Sequence, residues 1–207
     1  MERIEDGIRV GWCTTDFLDF LRAAGDALRK IRFLLLTAYP LHRLGHHWVD
    51  RLISSTSRSI SYLDAASAEE LARSPVAGFP DIYPEGGVER ILRETCCHPF
   101  LIQKVCDELC KYLNENGGRR RATDEELTEV IDRVADEHLF DELWNQRTLE
   151  EKRALHRLAF ATAPIDAEPA MRQLAREGYV ELDEEHAAIA VPLFGRWIRF
   201  TQGRTPP

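Results

Sequence analysis

The sequence has little that would place the chain in or across a membrane. No apolar run reaches the roughly 18 residues that a spanning helix needs, and the longest, residues 31–40, is much shorter. Met1 is followed by Glu-Arg-Ile-Glu-Asp rather than by a basic stretch and then an apolar one, so the start does not resemble a signal peptide. These features predict a soluble, cytoplasmic protein with no membrane partner.

The sequence also lacks the marks of disulfide-bonded and of strongly basic proteins. Its cysteines are odd in number and no export signal precedes them, which favours free thiols. The net charge is −8, and residues 76–145 hold the whole acidic excess, with eight basic against sixteen acidic side chains. Because no segment is basic overall, nucleic acid is not expected to be the main partner. The cysteines are Cys13, Cys96, Cys97, Cys106 and Cys110.

The first third of the chain alternates helical and strand-like patterns. The apolar spacing of residues 16–29 predicts an amphipathic helix. Residues 31–37 are short and almost continuously apolar, which is typical of a strand buried on both faces of a parallel sheet. A second helix at 41–53 and a second strand at 58–63 would follow. Residues 1–63 therefore predict a piece of an α/β layer.

The middle segment, residues 64–145, predicts a helical bundle. Pro99 suits the first turn of a helix over 100–113, because proline's missing N–H has no intrahelical partner there. Thr123 and Glu126 form a capping-box pattern for a helix over 124–134. Shorter helices are expected after Asp64 and over 88–95.

The last segment changes character. It predicts a helix, a second helix, a hairpin and a third helix within residues 146–202, and residues 203–207 are expected to be disordered. This order is the winged-helix pattern, a variant of helix-turn-helix. The elements are predicted at residues 149–161, 168–177, 179–182 with 188–191, and 193–200.

Three motifs in this order resemble the C-terminal portion of bacterial STAND-type AAA+ ATPases. Arg32-Phe-Leu-Leu-Leu-Thr37 is similar to the core strand that ends beside the γ-phosphate, and Pro75-Val76 is similar to the pair that opens the helical lid. Ile91-Leu-Arg-Glu-Thr-Cys-Cys-His-Pro-Phe100 is similar to the helix, turn and helix that face the nucleotide. The resemblance implies a mainly α fold with a small α/β remnant: a partial P-loop core (1–63), a helical lid (64–145) and a winged-helix domain (146–202).

The resemblance also implies roles for individual residues. Thr37 would be the γ-phosphate sensor, although a strand-end threonine that caps a turn explains it as well. His98 and Pro99 would contact the adenine side of the nucleotide, whereas a proline that opens a helix is the plainer explanation of Pro99. Arg51 could act on a neighbour's nucleotide as an arginine finger, but a surface arginine is the more ordinary reading.

The chain departs from the family pattern in two ways. Cys96 and Cys97 stand where the family commonly has glycines, which restricts that turn. No G-x-x-x-x-G-K-[ST] phosphate loop occurs, and no strand ends in a convincing magnesium-binding acid. Residues 2–5 resemble the sequence just after the family's acidic magnesium motif, so we expect the chain to begin inside the ATPase core. ATP and Mg²⁺ would be cofactors of a longer parent enzyme. This chain alone is expected to bind ATP weakly and to contain no catalytic residues.

Two further clusters carry weaker metal hypotheses. Cys96, Cys97, His98, Cys106 and Cys110 could suggest zinc, but adjacent cysteines do not fit C-x₂₋₄-C spacing, and Cys106 falls on an apolar helix stripe. His42 and His46 are four residues apart without the glutamate of an H-E-x-x-H motif. We therefore expect no metal site. The run Arg119-Arg120-Arg121 is typical of a solvated connector.

Two functions remain open at this stage. The first is a nucleotide-dependent regulatory portion of a signalling ATPase, with protein partners or the missing N-terminal half as its contacts. The second is a DNA-binding regulator that uses Arg172 and Arg176 before the wing, although the acidic wing turn Asp183-Glu184-Glu185 opposes phosphate contact. An uncovered sheet fragment in residues 1–63 would also favour homo-oligomers.

Overall fold

The protein is mainly helical and divides into two compact units, Met1–Ser59 and Ile60–Pro207. The structure is a computed structural model. It describes residues 6–8, 10–11, 13–28, 30, 32–37, 46–52, 56, 58, 62–160, 163–164, 169–183 and 186–203. No helix among these residues is long and apolar enough to cross a membrane.

Two helices of the first unit contact each other, α1 (Asp16–Ala27) and α2 (His46–Arg51). The helix predicted from residue 16 is confirmed, and α2 lies within the second predicted helix, whose first residues fall outside the described part of the chain. Leu18 and Trp48 are fully buried.

The strand predicted at residues 31–37 is wrong for residues 32–37. They have no regular secondary structure, and Leu34 and Leu36 are 84% and 64% exposed. A strand buried on both faces needs neighbouring strands to pair its backbone groups, and the described residues of this unit contain none. The second strand, at 58–63, is likewise absent from residues 58, 62 and 63, and the rest of it lies outside the described residues.

The second unit contains eight α-helices and a small sheet among its described residues. The helices are α3 (Ala65–Arg73), α4 (Gly87–Thr95), α5 (Pro99–Glu115), α6 (Asp124–Asp136), α7 (Asp141–Asn145), α8 (Leu149–Phe160), α9 (Pro169–Arg176) and α10 (Pro192–Thr201), with a 3₁₀ turn at His138–Phe140. The strands are β1 (Ala163–Pro164), β2 (Val180–Leu182) and β3 (His186–Ile189). The predicted helices and hairpin of residues 64–202 are confirmed as elements, whereas the 3₁₀ turn, α7 and β1 were not predicted.

The helix starts show why these segments fold locally. Asp64 caps α3 by accepting a hydrogen bond from the Ser67 backbone N–H at 2.9 Å. The predicted capping box is present at α6, where Thr123 and Glu126 satisfy each other's backbone N–H groups. Thr148 and Glu151 form the same reciprocal pair at the start of α8. The sequence contains this capping-box pattern, but it was not predicted.

The sheet has the order β1–β3–β2 with antiparallel pairing. Val180 pairs with Ile189 and Leu182 with Ala187, which fixes the register of the hairpin. Asp183 closes the turn, since its carboxylate accepts a hydrogen bond from the His186 backbone N–H at 2.6 Å. The acidic turn that was predicted therefore begins as expected, and residues 184–185 lie outside the described residues.

One hydrophobic core runs through the second unit. It extends without interruption from Ala68 on α3 to Ile198 on α10. Four aromatic residues, which we call the aromatic cluster, lie at its centre. They are Phe140, Trp144, Phe194 and Trp197. The residues before and after the predicted boundary at 145/146 thus share a core, and the division itself stays a prediction.

We expect Cys106 to resist alkylation in the folded protein. It is 9% exposed, and burial raises the pKa of its thiol to about 11. The hydroxyl of Tyr83 lies 3.4 Å from its sulfur. Two pKa units leave about 100-fold less thiolate than in an ordinary cysteine. Mass spectrometry after iodoacetamide treatment at pH 8 should show Cys106 modified at least about 100-fold more slowly than in denaturant.

The part-exposed Cys13 is the internal control for this measurement. Its alkylation rate should change much less on denaturation, and similar native rates for the two thiols would contradict the burial argument. Because the folded pKa of Cys106 lies above the ordinary value of 9.0, its contribution to stability is complete below about pH 9. That contribution is lost as the pH rises to about 11.

Candidate functional site

The turn between α4 and α5 is the strained feature of the second unit. Cys96 and Cys97 have φ of 49° and 57°, in the left-handed region that favours glycine. For residues with a Cβ this conformation costs on the order of 1–2 kcal/mol each. The Cys97 N–H donates to the Leu92 carbonyl at 3.0 Å and closes the end of α4. The two cysteines therefore adopt the left-handed backbone that glycines favour.

His98 follows the cysteines and occupies the N-cap position of α5, with Pro99 in its first turn. Its side chain makes no capping hydrogen bond to the first N–H groups of α5. The Nδ1 atom of His98 is buried without a hydrogen-bond partner among the described residues. Burial lowers the pKa of His98, and the imidazole is therefore neutral near pH 7.

Tyr62 and Leu63 pack on this turn from the N-terminal side. The Leu63 N–H donates to the Cys97 carbonyl at 3.0 Å. The Tyr62 ring meets His98 edge to face with centroids 5.8 Å apart, and its hydroxyl lies 3.5 Å from the Gly178 carbonyl. Burial, followed by the nearby Cys96, raises the pKa of Tyr62, so its hydroxyl stays protonated at neutral pH.

The thiol of Cys96 is also kept in its protonated form. Burial raises its pKa most, and Glu181 and then Cys97 raise it further. A protonated thiol is a poor nucleophile and a poor metal ligand. In the part of the chain that the structure describes, no group of three or more His, Cys, Asp or Glu side chains could hold a metal ion.

Arg196 holds the helix that leads into the turn. It lies on α10 and donates to both carboxylate oxygens of Glu94 on α4, at 2.9 and 3.1 Å. A third bond reaches Asp132 on α6 at 2.9 Å. Glu94 is only 7% exposed. We call these three residues the Arg196 clamp, since a bidentate guanidinium–carboxylate pair fixes geometry as well as charge.

Sequence reasoning missed the Arg196 clamp. Its signal is one charged residue in the middle of the otherwise apolar run Leu193–Ile198. A charged side chain that is only 26% exposed on an otherwise apolar helix face favours a partner of opposite charge. The sequence could have indicated that requirement, but it could not have identified Glu94, which lies 102 residues away.

Thr37 and Arg51 are the two predicted site residues of the first unit. Thr37 is exposed and ends no strand, so its proposed sensor role loses the strand end on which it depended. Arg51 donates from Nε to the Asp19 carboxylate at 3.0 Å, with 25% of its side chain exposed. An arginine finger would have to give up this ion pair.

Arg172 and Arg176 lie exposed on α9 and line an open groove of about 410 Å³. Glu150 and Glu151 at the start of α8 line the same groove, which reduces its positive potential. The other lining residues are Thr148, Pro169, Ala170 and Gln173.

Two arginines of the basic run Arg119-Arg120-Arg121, which precedes α6, form contacts within the protein. Arg121 donates to the Tyr83 carbonyl at 2.6 Å, and Arg119 pairs with Glu126. These contacts support the interpretation of this run as a structural connector.

Comparison of the chain with protein-family models, with curated proteins and with solved structures finds no match.

Proposed function

We propose that residues 64–202 are the helical lid and winged-helix portion of a STAND-type regulatory ATPase, which acts through protein contacts as a nucleotide-dependent switch. The observation that carries the proposal is the left-handed backbone at Cys96 and Cys97. A glycine-type turn followed by a proline-opened helix is the geometry that the resemblance expects on the nucleotide side. Cysteines that accept the strain of this turn support a role that requires its shape.

The chemistry of the turn fits an adenine rather than a triphosphate. A neutral His98 leaves its Nε2 as a single donor or acceptor, because its Nδ1 is buried, and the Pro99 ring beside it is apolar. Small-molecule sites combine apolar surface with a few placed polar groups in this way. Triphosphate and Mg²⁺ need a phosphate loop and metal-holding acids, which neither the sequence nor the described residues provide. The proposal for this chain is therefore limited to contact with the adenine side of a nucleotide.

The last segment supports a protein-contact role for the wing. Its described elements follow the order helix, helix, hairpin and helix, which is the winged-helix order. The hairpin turn begins with the exposed Asp183 and continues with two glutamates. Phosphate contacts supply most of the affinity of DNA-binding wings, and carboxylates at this position repel them.

The proposal is tested by titrating the ¹⁵N-labelled protein with Mg–ADP and following amide chemical shifts. We expect weak, saturable shifts at residues 96–101, with Kd on the order of 1 mM, which corresponds to about −4 kcal/mol. His98→Ala should abolish them. His138→Ala is the matched control, because His138 has a 96% exposed side chain far along the chain from the turn. Shifts that avoid residues 96–101, or that survive in His98→Ala, would overturn the proposal.

The exposure of Arg172 and Arg176 on one helix favours DNA binding as the second candidate. Fluorescence anisotropy with duplex DNA separates the two functions. We expect no salt-sensitive binding, so Arg172→Ala/Arg176→Ala and the control Arg73→Ala should behave like the unmodified chain. Affinity that falls steeply between 50 and 200 mM salt and disappears only in the double variant would establish the DNA-binding alternative.

A further inference from the structure

We infer that residues 64–145 and 146–203 form a single cooperative body, so the wing does not swing on the lid. Inter-domain surfaces that permit motion are usually polar and limited in area. The two segments share a continuous buried apolar core instead. This core contains Leu127, Val130 and Ile131 of α6 together with Leu193 and Ile198 of α10, and the two helices are in contact.

The aromatic cluster crosses the boundary at its centre. Phe140 and Trp144 come from the first segment, and Phe194 and Trp197 from the second. The ring centroids of Phe140 and Phe194 are 5.0 Å apart, and those of Trp144 and Trp197 are 5.8 Å apart. Because packed aromatic cores have discrete arrangements rather than continuous ones, rotation about this boundary would require the cluster to separate.

The residues that connect the two segments are fixed by backbone hydrogen bonds. The Gln146 N–H donates to the Glu142 carbonyl at 3.1 Å, and the Arg147 N–H donates to the Trp144 carbonyl at 3.0 Å. The capping box at Thr148 then starts α8 directly. The Arg147 side chain is 1% exposed and cannot reach solvent without opening the core. A hinge needs residues that are free to change φ and ψ, and this connection has hydrogen bonds at consecutive positions.

The Arg196 clamp connects α10 to the end of α4 that precedes the candidate site. Glu94 is two residues before Cys96, so α10 of the last segment holds the end of α4 from which the turn emerges. A displacement of the turn is thus transmitted to α10 through the half-buried ion pair of Glu94 with Arg196. The coupling is a property of the fold, and only its use in nucleotide signalling rests on the proposed function.

Native-state hydrogen exchange tests the inference. A substitution is made in the last segment, and the exchange rates are measured in both segments. Leu174 is fully buried on α9, which packs against α8 and β2. Leu174→Ala should raise the slowest exchange rates by at least about 30-fold. We expect the same fold-change in the amides of α5 as in those of α8, because both open only with the whole body. An effect confined to residues 149–183 would overturn the inference.

A milder variant keeps the test decisive if Leu174→Ala does not fold. Ile102→Val, on the buried face of α5, should raise the hydrogen-exchange rates in α5 and in α8 by the same factor of about 2–10.

The coupling of the turn to α10 is tested with two arginine variants. Arg196→Met should raise the exchange rates of the Cys97 and His98 amides more than Arg199→Met does. Arg199 is the control because it lies on the same helix and its guanidinium bonds only the Ala159 carbonyl among the contacts described. Equal effects of the two arginine variants on the turn would contradict the coupling. Failure of either test leaves the Mg–ADP result unaffected, so the two proposals can fail separately.

Discussion

Replacing Trp197 by alanine is expected to lower the free energy of unfolding by about 3–5 kcal/mol. The indole is 1% exposed, and its centroid lies 5.8 Å from that of Trp144 and 6.1 Å from that of Phe140. Removal of the ring leaves a cavity between residues of both segments, because the surrounding core relaxes only partly. Urea denaturation followed by far-ultraviolet circular dichroism measures the loss.

Phe200→Ala is the matched control, since Phe200 lies on the same helix and is 50% exposed. Its effect should stay within about 0.5–1 kcal/mol. Trp197→Phe should cost less than Trp197→Ala, because it keeps an aromatic ring and removes an indole N–H that is buried without a partner among the described residues. A Trp197→Ala loss no larger than that of Phe200→Ala would show that the aromatic cluster is not the centre of the core.

Replacing Arg147 by methionine is expected to lower the free energy of unfolding by about 3–5 kcal/mol. Arg147 and Glu177 form an ion pair at 2.7 Å with side chains 1% and 3% exposed. The guanidinium also lies 4.6 Å from the centre of the Tyr179 ring and donates to the Leu143 carbonyl. Methionine fills much of the volume but leaves the Glu177 carboxylate buried without its counter-ion. Chemical denaturation at pH 7 measures the effect.

The companion double variant Arg147→Met/Glu177→Met separates charge from packing. It should recover much of the loss, since well-packed apolar residues often replace a buried ion pair at little cost. Arg73→Met, which breaks an exposed pair with Glu69, should change stability by less than about 1 kcal/mol. A double variant as unstable as Arg147→Met would show that packing by the guanidinium, rather than loss of the ion pair, dominates.

The helices of the second unit could be predicted because their signals are local. Pro99 and the capping box at Thr123 act within one turn of the chain, and both helices begin where these residues indicate. The hairpin likewise follows from alternation and a polar turn. By contrast, α7 is only five residues long and offers too short a pattern for periodicity.

The strand predicted at residues 31–37 was wrong for residues 32–37 for a non-local reason. A continuously apolar run indicates a buried strand only if other strands lie beside it, and a sequence pattern does not supply them. The same limit applies to the candidate site. The backbone at Cys96 and Cys97 contradicts ordinary residue preference, and the partners of Arg196 are far away in sequence, so only the structure brings them together.

Photo-crosslinking with 8-azido-ADP tests the adenine-side assignment of the turn most directly. Light converts the azide on the base into a reactive nitrene, which labels residues beside the adenine. We expect label on the tryptic peptide Glu94–Lys104, which contains Cys96, Cys97, His98 and Pro99. Excess unlabelled ADP should prevent this labelling. Label that is absent from this peptide, or that persists in excess ADP, would contradict the assignment.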